Sequence, residues 1–248
     1  MKVARRIAKP ILGDVASKVQ IETSISPHNF KAESSYTVDG SPVLKLEYKS
    51  KLANQLSAYT LIRKDLKFCR KNLILAMQLC GGDFNTKDST YIRDEHDDNA
   101  DMLQALTISF IITYAKCFTE ARGRKVKLEA KDIFRSNPNL YSYHDFLMKL
   151  RNNDIAHSGN DSNEAGDAHI LLHQDESLGV TPQLVTRSNH VYSGDLKFYK
   201  LSFEVVAFLE EHLLKVSQKI FTKVKKELAS VSDEYLYELA RDNQPLIL

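Results

Sequence analysis

Within seven consecutive positions the chain carries Arg151, Asn152, Asn153, Asp154 and His157, at the end of a stretch whose periodic residues are otherwise apolar. Charged and amide side chains are costly beside a core, so this concentration marks the place where chemistry would be done. Histidine exchanges protons near neutral pH and serves as general acid or base. Arginine keeps its charge and offers a planar fork of two donors, which suits a phosphate. Asn152 can orient either group, and Asp154 can tune His157 weakly through its charge. Spacing alone does not complete the site. On a regular helix a six-residue step sets two side chains about 120° apart around the axis and about 9 Å apart along it. The reach of the arginine, or a helix that ends before His157, would close that gap. The same residues also have a structural use, because Arg and His near a helix end cap carbonyls and meet the helix dipole.

The segment resembles the ribonuclease motif of HEPN-domain proteins. These are helical bundles whose catalytic members share an Arg, usually followed by a polar residue such as Asn, and a His, with four to six residues between the Arg and the His. Arg151 matches the Arg, Asn152 the follower and His157 the His. Leu150 before the Arg, Ala156 before the His and the small pair Ser158 and Gly159 after it are similar to the family as well. So is the plan of a long apolar helix, a motif helix, an interruption and a long final helix, over about residues 46–230. The resemblance implies metal-independent RNA cleavage that leaves a 2′,3′-cyclic phosphate, with no metal and no cofactor. Arg151 would be the phosphate clamp, His157 the acid/base, Asn152 the orienting residue and Asp154 the tuning one. It implies a homodimer whose two motif helices line one cleft. It also suggests a toxin–antitoxin or phage-defence setting, with an antitoxin or other protein partner. Many HEPN domains are binding or dimerisation modules instead, and that alternative stays open.

The elements that must hold this segment follow from hydrophobic periodicity. Residues 46–80 repeat apolar side chains at three- and four-residue steps, and Gly81 and Gly82 stop that helix. An acidic loop at 83–98 precedes a second helix at 99–121, apolar nearly all round and so expected at the centre of the core. A basic turn at 122–127, a short helix at 129–135 and a break at Asn137 and Pro138 come next. The motif helix is expected over 141–157 and a turn-rich loop at 158–167. Two short strands follow, within about 168–193, then a long helix at 202–230 and another turn or two at 233–241. The first 45 residues have no sustained period, although Asp39 and Gly40 sit where a hairpin turn would form. The expected class is all-α: a HEPN-like bundle over 46–241 with a small β-hairpin insertion, an irregular N-terminal arm (1–45) and a C-terminal tail (242–248).

Other candidates carry less. Arg122, Arg124, Lys125 and Lys127 could meet RNA phosphates, as could the stripe Lys215, Lys219, Lys223 and Lys226, though solvated faces look the same. Tyr141 and Tyr143 could stack bases or pack helices. His169 and His173 have helical metal spacing but fall in a strand pattern, about 13 Å apart and without a third ligand. The acidic run 94–98 lacks the glycine of a calcium loop, and Ser158 has no nucleophile elbow around it. No Gly-rich phosphate loop is present. Three scattered cysteines, Cys69, Cys80 and Cys117, read as reduced thiols. With 43% apolar and 27% charged residues the chain can bury a core without staples, and a net charge of +2 neither demands nor excludes nucleic acid. No apolar run approaches the roughly 20 residues that span a bilayer, so the expected setting is the cytoplasm.

Overall fold

The computed structural model describes residues 2–8, 19–25, 32–80, 98–120, 126–155, 164–172, 183–190 and 194–248. Most of these are helical, with short strands at both ends of the chain and in one insertion. The chain divides into two compact units, residues 58–213 and residues 1–57 with 214–248.

The larger unit is a bundle of four helices. Helix α1 (Lys51–Leu79) contributes its residues from 58 onward, α5 (Leu196–Leu228) its residues to 213, and α2 (Asp98–Ala115) and α4 (Pro138–Leu150) lie wholly within it. Each contact has a named link. Asn72 on α1 donates to Ser109 Oγ on α2 (3.1 Å), and Lys116 lies 3.6 Å from Asp65, so the two helices run antiparallel. Arg70 bridges α1 to Glu210 on α5 (3.1 Å) and stacks its guanidinium on the Phe203 ring (5.2 Å). Thr107 on α2 meets the Tyr199 hydroxyl (2.8 Å), and Tyr143 on α4 donates to the Phe198 carbonyl (2.9 Å). Between them Ile62, Leu66, Leu73, Leu103, Phe110, Leu147, Val205 and Leu209 are buried in one core. Close packing of that many large side chains supplies the stability, each worth roughly 1.5–3 kcal/mol of transfer free energy.

Several elements differ from expectation. Helix α1 begins at Lys51 rather than 46, because the Ser50 hydroxyl accepts the Ala53 amide (3.0 Å) and caps it. Helix α2 is not enclosed all round: Met102 and Ile112 are about half exposed. It also stops at Ala115, where tighter bonds such as Cys117 N to the Tyr114 carbonyl (3.0 Å) take over. Helix α3 is the four residues Ala130–Ile133. Asn137 and Pro138 start α4 instead of merely breaking the chain: Asn137 Oδ1 accepts the Leu140 amide (3.2 Å) and Pro138 takes the first turn, where no amide is needed. Helix α5 starts six positions early, with Asp195 Oδ1 capping the Phe198 amide (2.7 Å). The strands β6 (Glu164–Leu171) and β7 (Gln183–His190) pair as an antiparallel hairpin, and β6 reaches back into the expected loop.

In the smaller unit β1 (Lys2–Ala8), β2 (Val19–Ile25), β3 (Ala32–Val38) and β4 (Ser41–Pro42) form one antiparallel sheet in chain order, where an irregular arm was expected. The β3–β4 turn is Asp39 and Gly40, with φ of 48° and 83°, the paired positive values a tight hairpin of matching twist requires. The tail is also ordered. Helix α6 (Asp233–Arg241) is capped by Ser232, and β8 (Leu246–Ile247) pairs in parallel with β5 (Tyr48–Lys49). The Tyr48 hydroxyl donates to Glu227 on α5 (2.5 Å). Among the described residues no helix is long and apolar enough to cross a membrane.

Candidate functional site

Helix α4 faces the core through His144 and Leu147. Arg151 comes seven residues after His144, about 20° short of two full turns, so it inherits the same side of the helix. That phase leaves Arg151 half-buried, while Asn152 and Asn153 are exposed. At Arg151 the backbone changes character: the Arg151 amide still bonds to the Leu147 and Met148 carbonyls, and Arg151–Ile155 then forms a single turn of π-helix. Such turns are rare, cost hydrogen-bond geometry, and are concentrated at functional positions. The turn packs against α2 as well as continuing α4.

Arg151 Nη1 donates to Asn152 Oδ1 (2.8 Å), which fixes one arm of the fork. Among the described residues Arg151 forms no ion pair. Asp154 belongs to the π-turn. His157 lies outside the described residues, as do Arg122, Arg124, Lys125 and His173. Lys127 is described, and its ammonium sits 3.4 Å from Glu120 and 3.7 Å from Glu129, so two carboxylates already share its charge. Lys215, Lys219, Lys223 and Lys226 are exposed on α5, and His169 is exposed on β6. Tyr143 is turned inward, hydrogen-bonded to Phe198 and Ser202, and burial pushes its phenol up to about 12. Its role is packing, not stacking on bases.

One residue escaped sequence reasoning. His144 is 5% exposed, and its Nδ1 shares a 2.8 Å hydrogen bond with the Tyr114 hydroxyl. Phe118, Phe134 and Tyr141 surround the ring, with the Phe118 centroid 4.3 Å away. Burial lowers its pKa, against a smaller opposing pull from the Asp145 charge. A neutral, enclosed imidazole anchors α4 to α2 on the same helical stripe as Arg151, about two turns before it. The only signal in the sequence was a histidine in phase with Leu140, Leu147 and Arg151. The three cysteines are buried and free, and burial raises each thiol, Cys117 to about 12, so none supplies a thiolate nucleophile. Among the described residues no group of three or more acidic, His or Cys side chains could hold a metal ion.

No protein-family model, curated protein or solved structure matches this chain.

Proposed function

We propose that this chain is a metal-independent endoribonuclease of HEPN type, working as a cytoplasmic homodimer with its cleft at the end of α4. The observation that carries the reading is Arg151, a half-buried residue whose guanidinium is oriented by an exposed hydrogen bond to Asn152 and forms no ion pair among the described residues, on a π-turn at the end of a packed helix. A guanidinium held in one orientation, exposed and without an ion pair among the described residues, is placed to receive an anion. A phosphodiester supplies it, and the fork then donates two charge-assisted hydrogen bonds.

In the reaction His157 takes the proton of the ribose 2′-hydroxyl, whose oxygen attacks the adjacent phosphorus. Arg151 holds the negative phosphorane oxygens, where a positioned cation contributes most. The 5′-oxygen leaves with a proton from a second acid, the partner's His157 in a dimeric cleft, giving a 2′,3′-cyclic phosphate and a 5′-hydroxyl. Asn152 keeps the fork in plane and Asp154 favours the protonated form of His157. A toxin or phage-defence role, held in check by an antitoxin or other protein, accords with such an activity.

The test is cleavage of a mixed RNA pool in EDTA by the wild type beside His157→Ala, Arg151→Ala and Arg151→Lys. Loss of a positioned acid or base costs about 10²–10⁴ in rate. His157→Ala and Arg151→Ala should both fall that far without changing oligomeric state, and Arg151→Lys should recover little because the fork is gone. Cleavage that needs divalent metal, or that survives both alanine variants, would remove the proposal.

A second reading has its own observation. A non-catalytic interaction module would expose apolar side chains away from the motif, and helices α1 and α2 do so.

A further inference from the structure

On the side of the α1–α2 pair turned away from the core, Leu61, Phe68 and Leu75 are 42%, 46% and 50% exposed. They recur every seven residues, so they form one straight ridge about 21 Å long. Ile112 on α2 is 49% exposed. The seam between the helices fixes where these side chains stand. Its floor is the Asp65–Lys116 ion pair and the Asn72–Ser109 hydrogen bond. Phe68 lies one turn from both Asp65 and Asn72, and Ile112 one turn from both Ser109 and Lys116. Cys69, whose thiol donates to the Phe110 carbonyl, marks the core side of that seam. Phe68 and Ile112 therefore flank its outer side, as two apolar ridges with a shallow polar groove between them.

Charge along this groove is one-sided. Lys64 and Lys71 run parallel to the Leu61–Phe68–Leu75 ridge, also seven residues apart, both exposed and with no ion pair among the described residues. The single acid on α1, Asp65, is held by Lys116 in the floor. Helix α2 carries Asp98 and Asp101 and no lysine; Lys116 follows its last residue.

We propose that this face is a docking groove for an amphipathic helix of another protein, with an apolar stripe at seven-residue spacing and acidic residues along one flank. The spacing selects a helix, because its knobs repeat with the period of the ridge. The basic row selects the sign, since flanking charges set partner choice in such pairings. A second copy of α1 would bring Lys64 and Lys71 against their own kind, which disfavours self-pairing. A lipid surface is a poorer match, for the α2 edge bears an acid where an anionic membrane needs cations. RNA is a poorer match too, because three of the four ridge side chains are aliphatic and give bases nothing to stack on. The inference stands apart from the ribonuclease proposal, and its test reads no catalytic activity.

The probe is a fluorescein-labelled peptide of three heptads with leucine at both core positions and glutamate on both flanks, compared with a twin carrying lysine on the flanks. Anisotropy titrations of the full chain should show the acidic peptide binding at least tenfold more tightly than its twin, with the gap narrowing in high salt. Phe68→Asp, at an exposed position that leaves the circular dichroism spectrum unchanged, should reduce acidic-peptide binding at least tenfold. The double variant Lys64→Glu, Lys71→Glu should reverse the preference between the twins. Equal binding of the two peptides, or binding indifferent to Phe68→Asp, overturns the proposal. So does self-association that Phe68→Asp dissolves, which assigns the face to a second copy. Capture by anionic lipid vesicles or single-stranded RNA, lost in Phe68→Asp while the acidic peptide fails to bind, overturns it in favour of those ligands.

Discussion

The His144–Tyr114 pair makes the sharpest stability prediction. In the unfolded chain a histidine takes up its proton near pH 6.5, whereas burial holds His144 neutral to lower pH in the folded state. The unfolded state then binds more protons as the solution is acidified, so acid favours unfolding. The contribution is complete above about pH 6.5 and is lost as pH falls toward the lowered folded value, with a limiting slope of about 1.4 kcal/mol per pH unit. Between pH 7.5 and 5.5 one such group removes up to about 1.4 kcal/mol, a tenfold change in the folding equilibrium. For a chain this long that moves the melting temperature by about 3–5 °C. His144→Gln keeps a polar side chain of similar size but cannot titrate, and its melting temperature should depend less on pH by that amount. The wild-type-minus-variant difference cancels the other seven of the eight histidines. Thermal melts at half-unit steps of pH give the answer. Parallel slopes for the two proteins would show that the ring is not held neutral, and the argument from its enclosure fails. The partner hydroxyl supplies the complementary check: Tyr114→Phe leaves Nδ1 buried without its bond, a cost of about 1–3 kcal/mol at neutral pH.

Two further outcomes are expected. A Cβ at Gly194 would meet Phe198 Cδ1 at 2.1 Å, and that ring packs against Tyr199, Phe110, Tyr143 and Phe146, so Gly194→Ala should cost about 1–3 kcal/mol; a melting temperature within a degree of wild type would show that the ring moves freely. Because the proposed cleft draws its base and its acid from the two copies of His157, refolding wild type with an equal amount of His157→Ala leaves about a quarter of the dimers with both histidines, and cleavage should fall to about a quarter of that of wild type at the same total concentration; a fall to only about a half would show that one histidine per dimer suffices.

What the sequence made legible was whatever its periodicity encodes. The apolar steps from Leu52 to Met77 give α1 to within a few residues at its start, and the final long helix and the hairpin strands exist as expected, with α5 and β6 each beginning earlier than their pattern suggests. Boundaries were set instead by single capping bonds. Ser50 and Asp195 look like any loop polar residue until the amide each accepts is known. Asn137 and Pro138 have the composition of a break and of a helix start alike, and the Leu140 amide decides between them. The N-terminal sheet was missed because no described side chain of β2 or β3 is fully buried, so its strands leave little hydrophobic pattern and are joined by backbone pairing. Likewise the Tyr48–Leu246 pairing joins segments nearly two hundred residues apart, and no local pattern announces it. The apolar run of α2 was read as enclosure, yet a helix with neighbours on one side keeps Met102 and Ile112 outside however apolar it is. At the motif, residue types pointed to Arg151 and Asn152, but a π-turn leaves no compositional trace.

That turn bears directly on how the motif can work. On an α-helix a six-residue step separates Arg151 and His157 by about 120°, and the one extra residue that a π-turn accommodates makes the same step worth five, about 140° in the opposite sense. Neither phase, were it continued to His157, would set the two side chains on one face of the helix. A chain that kept helical geometry through the motif would present the two groups to different surroundings, one of them toward a neighbour. Two such chains related by a twofold axis exchange what each lacks, because the isologous contact repeats every pairing. Cleavage also needs a base and an acid at the same moment, and one histidine per chain supplies only half of that. Under the ribonuclease proposal, a second copy of α4 beside the first would supply the second histidine that the reaction needs.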